Sequence, residues 1–292
     1  MILIGENINV MSRKFSEAMK NRDKKVIQEA AVALAEAGMD YLDLNIGPAR
    51  KQGPELMRWL VETIEEVVDI PLFLDTTNVE AIRAGLEACK KGKPIINSIS
   101  CKPESMNALF PLVKQFDVSF VALLLGPEGI PRDANERGVV LADFLAKAGE
   151  EGITPEKMWV DPIVLPVSSQ QDQVKEVVEF MKMFGDLAPG CMSTCGLSNV
   201  SNGTPKELRP ILNRTYLVML KRLGMQSAIV DGFDKELVDI ARGKRPDVEE
   251  LVAKAMDGEV DISSLSEEEA NYVKTVNVLM GRTLYSHSWL RL

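Results

Sequence analysis

The chain has 292 residues, 46% apolar and 26% charged, with 34 Lys and Arg against 43 Asp and Glu for a formal net charge of −9. That is the balance of an ordinary globular chain, and its acidic sign argues against a sequence-independent nucleic-acid binder, which needs a basic face to displace counterions. No apolar stretch reaches the ~18–20 residues of a membrane helix, MILIGENINV lacks the parts of a signal peptide, and four scattered cysteines make no disulfide framework, so a cytoplasmic protein is expected.

Along the chain, short apolar runs alternate with helical stretches. The runs are 2–4, 41–46, 71–74, 94–96, 118–125, 158–160, 192–197 and 228–230. Between them lie segments such as 24–38, 55–67, 80–92 and 172–185, with apolar residues three and four apart and charges on the opposite face. Gly38, Gly92 and Gly185 fall where these helices are expected to stop. Short connections between such units predict parallel strands joined by helical crossovers. Eight units in one chain predict a closed (β/α)8 TIM barrel. The alternative, an open doubly wound sheet, lacks a G-x-G-x-x-G after the first run. A single barrel domain over 1–292 is expected, with a charged helical insertion at 242–270 and a terminal-helix segment at 271–292, the final helix itself running from about Ser266 to Leu284.

In a barrel the reactive side chains stand at the C-terminal strand ends. Those ends carry Glu6, Asn7 and Asn9; Asp43 and Asn45; Asp75; Asn97; Asp161; Ser198 and Asn199; and Asp231, only the fifth run ending plainly at Leu125 and Gly126. The one histidine, His287, lies near the C-terminus, which removes most multi-imidazole metal sites and the histidine triads. Cys191 and Cys195 are spaced C-x3-C and would need a third ligand such as Cys101 to hold zinc; small buried residues are the preferred reading. No metal held by this chain is expected.

No Lys or Arg ends a strand, so a Schiff base has no nucleophile and a polyphosphate no clamp. Carboxylates and carboxamides instead suit a neutral ligand rich in N–H donors, such as the edge of a pterin. Three aspartates around Mg²⁺ are the competing reading. The segment GLSNVSNGTP (196–205) suits either a phosphate cradled by backbone N–H groups or the close approach of a flat ring.

The ordered set GENIN (5–9), DLNIGP (43–48), LDTTN (74–78), INS (96–98), GIPRD (129–133), DPIVLP (161–166), GLSNVS (196–201) and NRT (213–215) resembles the methyltetrahydrofolate:corrinoid-protein methyltransferases. Their barrel is similar to that of dihydropteroate synthase. The resemblance implies a homodimer that takes tetrahydrofolate or 5-methyltetrahydrofolate as substrate. It also implies a corrinoid (cobalamin) carried by a partner protein. Asp75, Asn97 and Asp161 would hold the pterin, Gly196 and Ser198 would line it, and Asn199 would both bind it and act at N5 as the catalytic group. Glu6, Asn7, Asp43 and Asn45 match in supporting roles, and Asp231 reads as a structural neighbour. The alternatives are a dihydropteroate synthase-like enzyme and a non-catalytic folate-binding subunit of a corrinoid complex. The charged segment 242–270 departs from the family pattern and bears on the corrinoid partner's identity.

Overall fold

Apolar residues alternate inward and outward along each short run, and a closed parallel barrel buries both faces. A computed structural model describes residues 1–49, 51–258 and 260–291. It contains β1 (Ile2–Gly5), α1 (Arg13–Asn21), α2 (Lys24–Glu36), β2 (Tyr41–Asn45), α3 (Gly53–Glu65), β3 (Leu72–Asp75), α4 (Val79–Ala88), β4 (Ile95–Ser100) and α5 (Pro103–Phe116). Then follow β5 (Ser119–Leu123), α6 (Ala134–Glu150), β6 (Met158–Asp161), α7 (Val167–Leu187), β7 (Met192–Ser193), α8 (Arg209–Arg222), β8 (Ser227–Val230), α9 (Lys235–Ala241), α10 (Pro246–Asp257) and α11 (Glu267–Leu279).

The strands form one eight-stranded sheet in the order β7-β6-β5-β4-β3-β2-β1-β8, every ladder parallel. It is the barrel read from the sequence. No continuous ladder joins β7 to β8; the seam is closed by the Ile229 N–H donating to the Cys195 carbonyl at 2.8 Å and the Ser227 hydroxyl donating to the Ser193 carbonyl at 2.8 Å. The barrel interior holds its own apolar plug of Ile4, Phe73, Ile95, Val121, Trp159 and Ile229. Tyr41, Phe73 and Trp159 meet edge to face there, with ring centroids 5.3 to 5.6 Å apart. The outward residues, such as Leu42, Leu44, Leu72 and Leu74, pack against the helices in the main core.

Three expectations need correction. Gly185 does not stop a helix, because α7 runs on to Leu187; it bends instead at Gln170, whose φ is −142° and ψ 51°. The seventh strand is two residues long rather than 192–197, since the chain turns at Gly196 into a short helical turn over Leu197–Ser201. The last helix starts where expected, capped by Ser266, but ends at Leu279 rather than Leu284. Ser266 and Glu269 form a reciprocal capping box at its start, and Gly281, with φ 70°, follows its end.

In segment 242–270, α10 buries Val248, Val252 and Ala255, and Arg245 pairs with Asp247, Glu236 and Glu268. Glu259 in that segment and Leu292 at the C-terminus lie outside the described residues. No helix among the described residues is long and apolar enough to cross a membrane.

Candidate functional site

Side chains alternate faces along a strand, so the residue two beyond each plug residue stands one layer higher inside the barrel. Applied to Ile4, Tyr41, Phe73, Ile95, Trp159 and Ile229, that step reaches Glu6, Asp43, Asp75, Asn97, Asp161 and Asp231. A polar layer therefore lies directly on an apolar floor.

The layer is cross-linked. Asn97 Nδ2 donates to Asp43 Oδ1 at 3.0 Å, and the Asn45 side chain donates to the Asp75 carboxylate. The Ser198 hydroxyl donates to Glu6 Oε1 at 2.6 Å, and Asn7 Nδ2 donates to Asp231 Oδ1 at 2.7 Å. Asn97 is not terminal as read from the sequence: β4 continues to Ser100 through a register shift between Ile96 and Ile99.

Burial governs the charges here. It holds the Asp43 carboxyl well above the usual carboxylate range, and neighbouring Asp75 adds to that. The two carboxyls lie side by side, and of the pair burial favours the proton on Asp43, turned toward Asp75. Desolvation pushes Asp75 up to about 6, opposed by the hydrogen bonds from Asn45 and Asp43. Asp161 is pushed up to about 6 by the same cause, although the Ile163 and Gly196 N–H groups face it. Burial also raises Glu6.

The loop after β6 is built around Asp161. Ile163 adopts φ 67°, an uncommon conformation for a β-branched residue, and its N–H donates to Asp161 Oδ1 at 2.8 Å. Arg137 of α6, fully buried, fastens this loop: its Nε donates to the Pro162 carbonyl at 2.9 Å and another guanidinium N–H to Gln173 at 2.9 Å. Sequence reading missed Arg137, which looks like any helical cation until the loop folds over it.

After β7, Gly196 lies close under Asn199. A Cβ at position 196 would fall 2.9 Å from Asn199 Nδ2. Asn202 Nδ2 donates to Asn199 Oδ1 at 3.1 Å, leaving that oxygen a second lone pair. The same loop is tied to the C-terminal segment by the Tyr285 hydroxyl, which donates to Thr204 Oγ1 at 3.0 Å. His287 is exposed, with its ring against Tyr285.

Glu6, Ser198, Asn199 and Asp231 line a cavity of about 990 Å³ that opens from the mouth between the loops after β1, β7 and β8. Asp75, Asn97, Asp161 and Gly196 do not line it. They connect to it through Asp43, which lies within electrostatic reach of Glu6, and through Gly196 beneath Asn199. Asn213 also lines the cavity; it is 8% exposed and its buried Oδ1 has no partner among the described residues. Cations absent from the strand ends reach the cavity from farther along the chain: Lys14, Lys206 and Arg209.

Comparison with known proteins gives four findings. A family model described as pterin binding enzyme matches residues 5–231. The chain is 28% identical over 240 residues to the methylcorrinoid:tetrahydrofolate methyltransferase of Eubacterium limosum, covering 82% of this chain and 88% of the relative. It is 28% identical over 242 residues to methionine synthase of Mycobacterium tuberculosis, covering 79% of this chain but 20% of that protein. Among solved structures, dihydropteroate synthase of Xanthomonas albilineans in complex with 7,8-dihydropteroate matches with a TM-score of 0.64 at 18% identity, over 84% of this chain and 93% of that one.

Proposed function

The chain belongs to the pterin binding enzyme family, and from that premise we propose that it is a methyltransferase moving a methyl group between N5 of tetrahydrofolate and the cobalt of a corrinoid protein. The observation that carries the reading is the buried acceptor layer beside an exposed Asn199. It is joined to the likeness over most of its length to a methylcorrinoid:tetrahydrofolate methyltransferase. We read the chain as one barrel domain whose segment 242–270 packs on the last units, working as a homodimer in the cytoplasm.

A pterin presents adjacent N–H donors along one edge. Ionised Asp75 and Asp161 are acceptors only, and charge-assisted bonds to such an edge lower the cost of their burial. The carboxamide of Asn97 is oriented by Asp43, so its oxygen is left to accept. The apolar plug keeps water from beneath the ring.

The corrinoid, when docked, supplies the cobalt that accepts or delivers the methyl group. The work of this chain is at N5. As the N5–methyl bond breaks, its electron pair stays on nitrogen, which leaves as a neutral amine only if a proton taken from solvent already occupies the nitrogen's own lone pair. Asn199 cannot titrate, but its free lone pair can hold an N5 proton through a hydrogen bond where charge changes most. In the opposite direction the same contact releases the proton as nitrogen takes the methyl group. One transition state serves both directions, and concentrations set the net flow.

The test is incubation with methyltetrahydrofolate and reduced cobalamin. Conversion of Co(I) to methyl-Co(III), with no pteroate formed from a pterin pyrophosphate, is expected. Tight folate binding without methyl transfer to any cobalamin would point instead to a binding subunit.

A further inference from the structure

Residues 280–291 follow α11 and hold one short helical turn, Trp289–Arg291. A chain end of that kind frays unless it is tied down, and this one is tied at three points. Trp289 is buried, and its Nε1 donates to Thr275 Oγ1 of α11 at 3.1 Å. Gln171 of α7 clamps the stretch beyond the helix with its whole carboxamide: Nε2 donates to the Val278 and Thr283 carbonyls, both at 2.7 Å, and Oε1 accepts from the Tyr285 N–H at 3.0 Å. The third tie is the Tyr285 hydroxyl, which donates to Oγ1 of the buried Thr204.

That third tie reaches the loop that carries Asn199. The Thr204 N–H donates to the Ser201 carbonyl at 3.2 Å, the Asn202 N–H to the Asn199 carbonyl at 3.1 Å, and Asn202 Nδ2 to Asn199 Oδ1 at 3.1 Å, so Thr204 and Asn199 belong to one hydrogen-bonded turn. The second tie starts from the other loop of the site. Gln170 interrupts α7 immediately before Gln171, which leaves the first turn of that helix as the end of the loop descending from Asp161. Ser168 in this turn donates to the Asn202 carbonyl at 2.7 Å, and Gly203 passes so close that a Cβ there would fall 2.8 Å from the serine Oγ. The C-terminal segment thus spans from the loop of Asp161 to the loop of Asn199.

We propose that residues 280–291 form a strap that sets the spacing between the loop holding the pterin and the loop acting at N5, with Tyr285 as a positioning residue for Asn199. The assignment rests on the methyl-transfer reading above. Tyr285 lines no part of the cavity and acts through Thr204 and Asn202. Its effect falls on rate more than on affinity: the ring is gripped by Asp75, Asn97 and Asp161, whereas a small misplacement of the group at the reacting nitrogen costs rate directly.

The test measures three quantities on the full chain: kcat for methyl transfer from methyltetrahydrofolate to Co(I) cobalamin, the methyltetrahydrofolate dissociation constant, and amide hydrogen exchange of residues 197–204 without folate. Tyr285→Phe removes one hydroxyl and keeps the ring against Trp289. Losing that hydrogen bond is expected to slow kcat by about three- to tenfold, to leave the dissociation constant within about twofold, and to speed exchange across 197–204. Thr204→Val is expected to match it, the double variant to be no slower than either single one, and Thr204→Ser to keep the wild-type rate. A wild-type rate in Tyr285→Phe, additive losses in the double variant, or rate and affinity falling in step would overturn the positioning role and leave the methyl-transfer reading standing. If the wild-type chain binds folate but moves no methyl group, that reading falls and exchange alone decides the strap. Faster exchange in both the Phe and Val variants then supports it, and unchanged exchange overturns it.

Discussion

Asn97 Nδ2 donates to Asp43 Oδ1 at 3.0 Å, bridging β4 and β2 across the end of β3, which lies between them in the sheet. The bond fixes which face of the Asn97 carboxamide is free. It also sits beside a coupled carboxyl pair, since burial and neighbouring Asp75 both favour the protonated form of Asp43.

Asparagine at position 43 reproduces that protonated state, with an oxygen for Asn97 and an N–H for Asp75. Asp43→Asn is expected to change the unfolding free energy by less than about 1 kcal/mol and folate affinity by less than about threefold. Asp43→Ala leaves the Asn97 amide buried without its acceptor and is expected to cost about 1–3 kcal/mol and to weaken binding. Urea unfolding and a folate titration of both variants check this.

Asp161 links pH to stability and to binding with opposite signs. Its carboxyl is raised from 3.8 to about 6, so the folded chain retains a proton that the unfolded chain has released. The stability it contributes is present below pH 3.8 and lost as pH rises through about 6. Folate affinity runs the other way, because only the ionised group accepts from N–H donors. Asp161→Asn is expected to gain about 1 kcal/mol of stability relative to wild type between pH 5 and pH 8. At pH 8 it is expected to bind folate roughly 10–100-fold more weakly. Parallel slopes for stability and affinity would contradict the assignment.

Arg137 holds Pro162 and, through it, the left-handed Ile163 beside Asp161. Arg137→Leu is expected to cost about 2–4 kcal/mol in unfolding free energy and to weaken folate binding, although residue 137 touches no part of the cavity. Arg137→Lys is expected to recover little, since one ammonium cannot serve the Pro162 and Asp133 carbonyls and the Gln173 oxygen together.

Gly196 has an ordinary φ of −75°, so alanine strains nothing in the backbone there. Its Cβ would instead displace the Asn199 carboxamide from 2.9 Å away. Gly196→Ala is expected to slow methyl transfer on the order of tenfold and to change the folate dissociation constant by less. Stopped-flow methyl transfer beside equilibrium titration separates the two.

Much of this was legible because strand alternation is short-ranged: in YLDLN, Tyr41 marks the plug and Asp43 and Asn45 the layers above it, and both the strand and its polar end are visible in five letters. Asn97 was found in type but misplaced along its strand, because β4 continues past it to Ser100. The brevity of β7 was obscured by an apolar run that Gly196 redirects into a turn. The start of α11 at Ser266 was legible, and Ser266 and Glu269 cap it there. Lys14, Lys206 and Arg209 could not be grouped from the chain alone. They come from α1, the approach to α8 and α8 itself, and only the closed barrel brings them to one wall.

The most direct measurement is the rate of methyl-Co(III) formation from methyltetrahydrofolate and Co(I) cobalamin by wild type and Asn199→Ala, with folate affinity measured on the same samples. Loss of an electrostatic partner at the reacting nitrogen is expected to slow the variant by about 10²–10³-fold while folate binding stays within about tenfold of wild type. A variant that transfers methyl at the wild-type rate would contradict the role of Asn199 at N5.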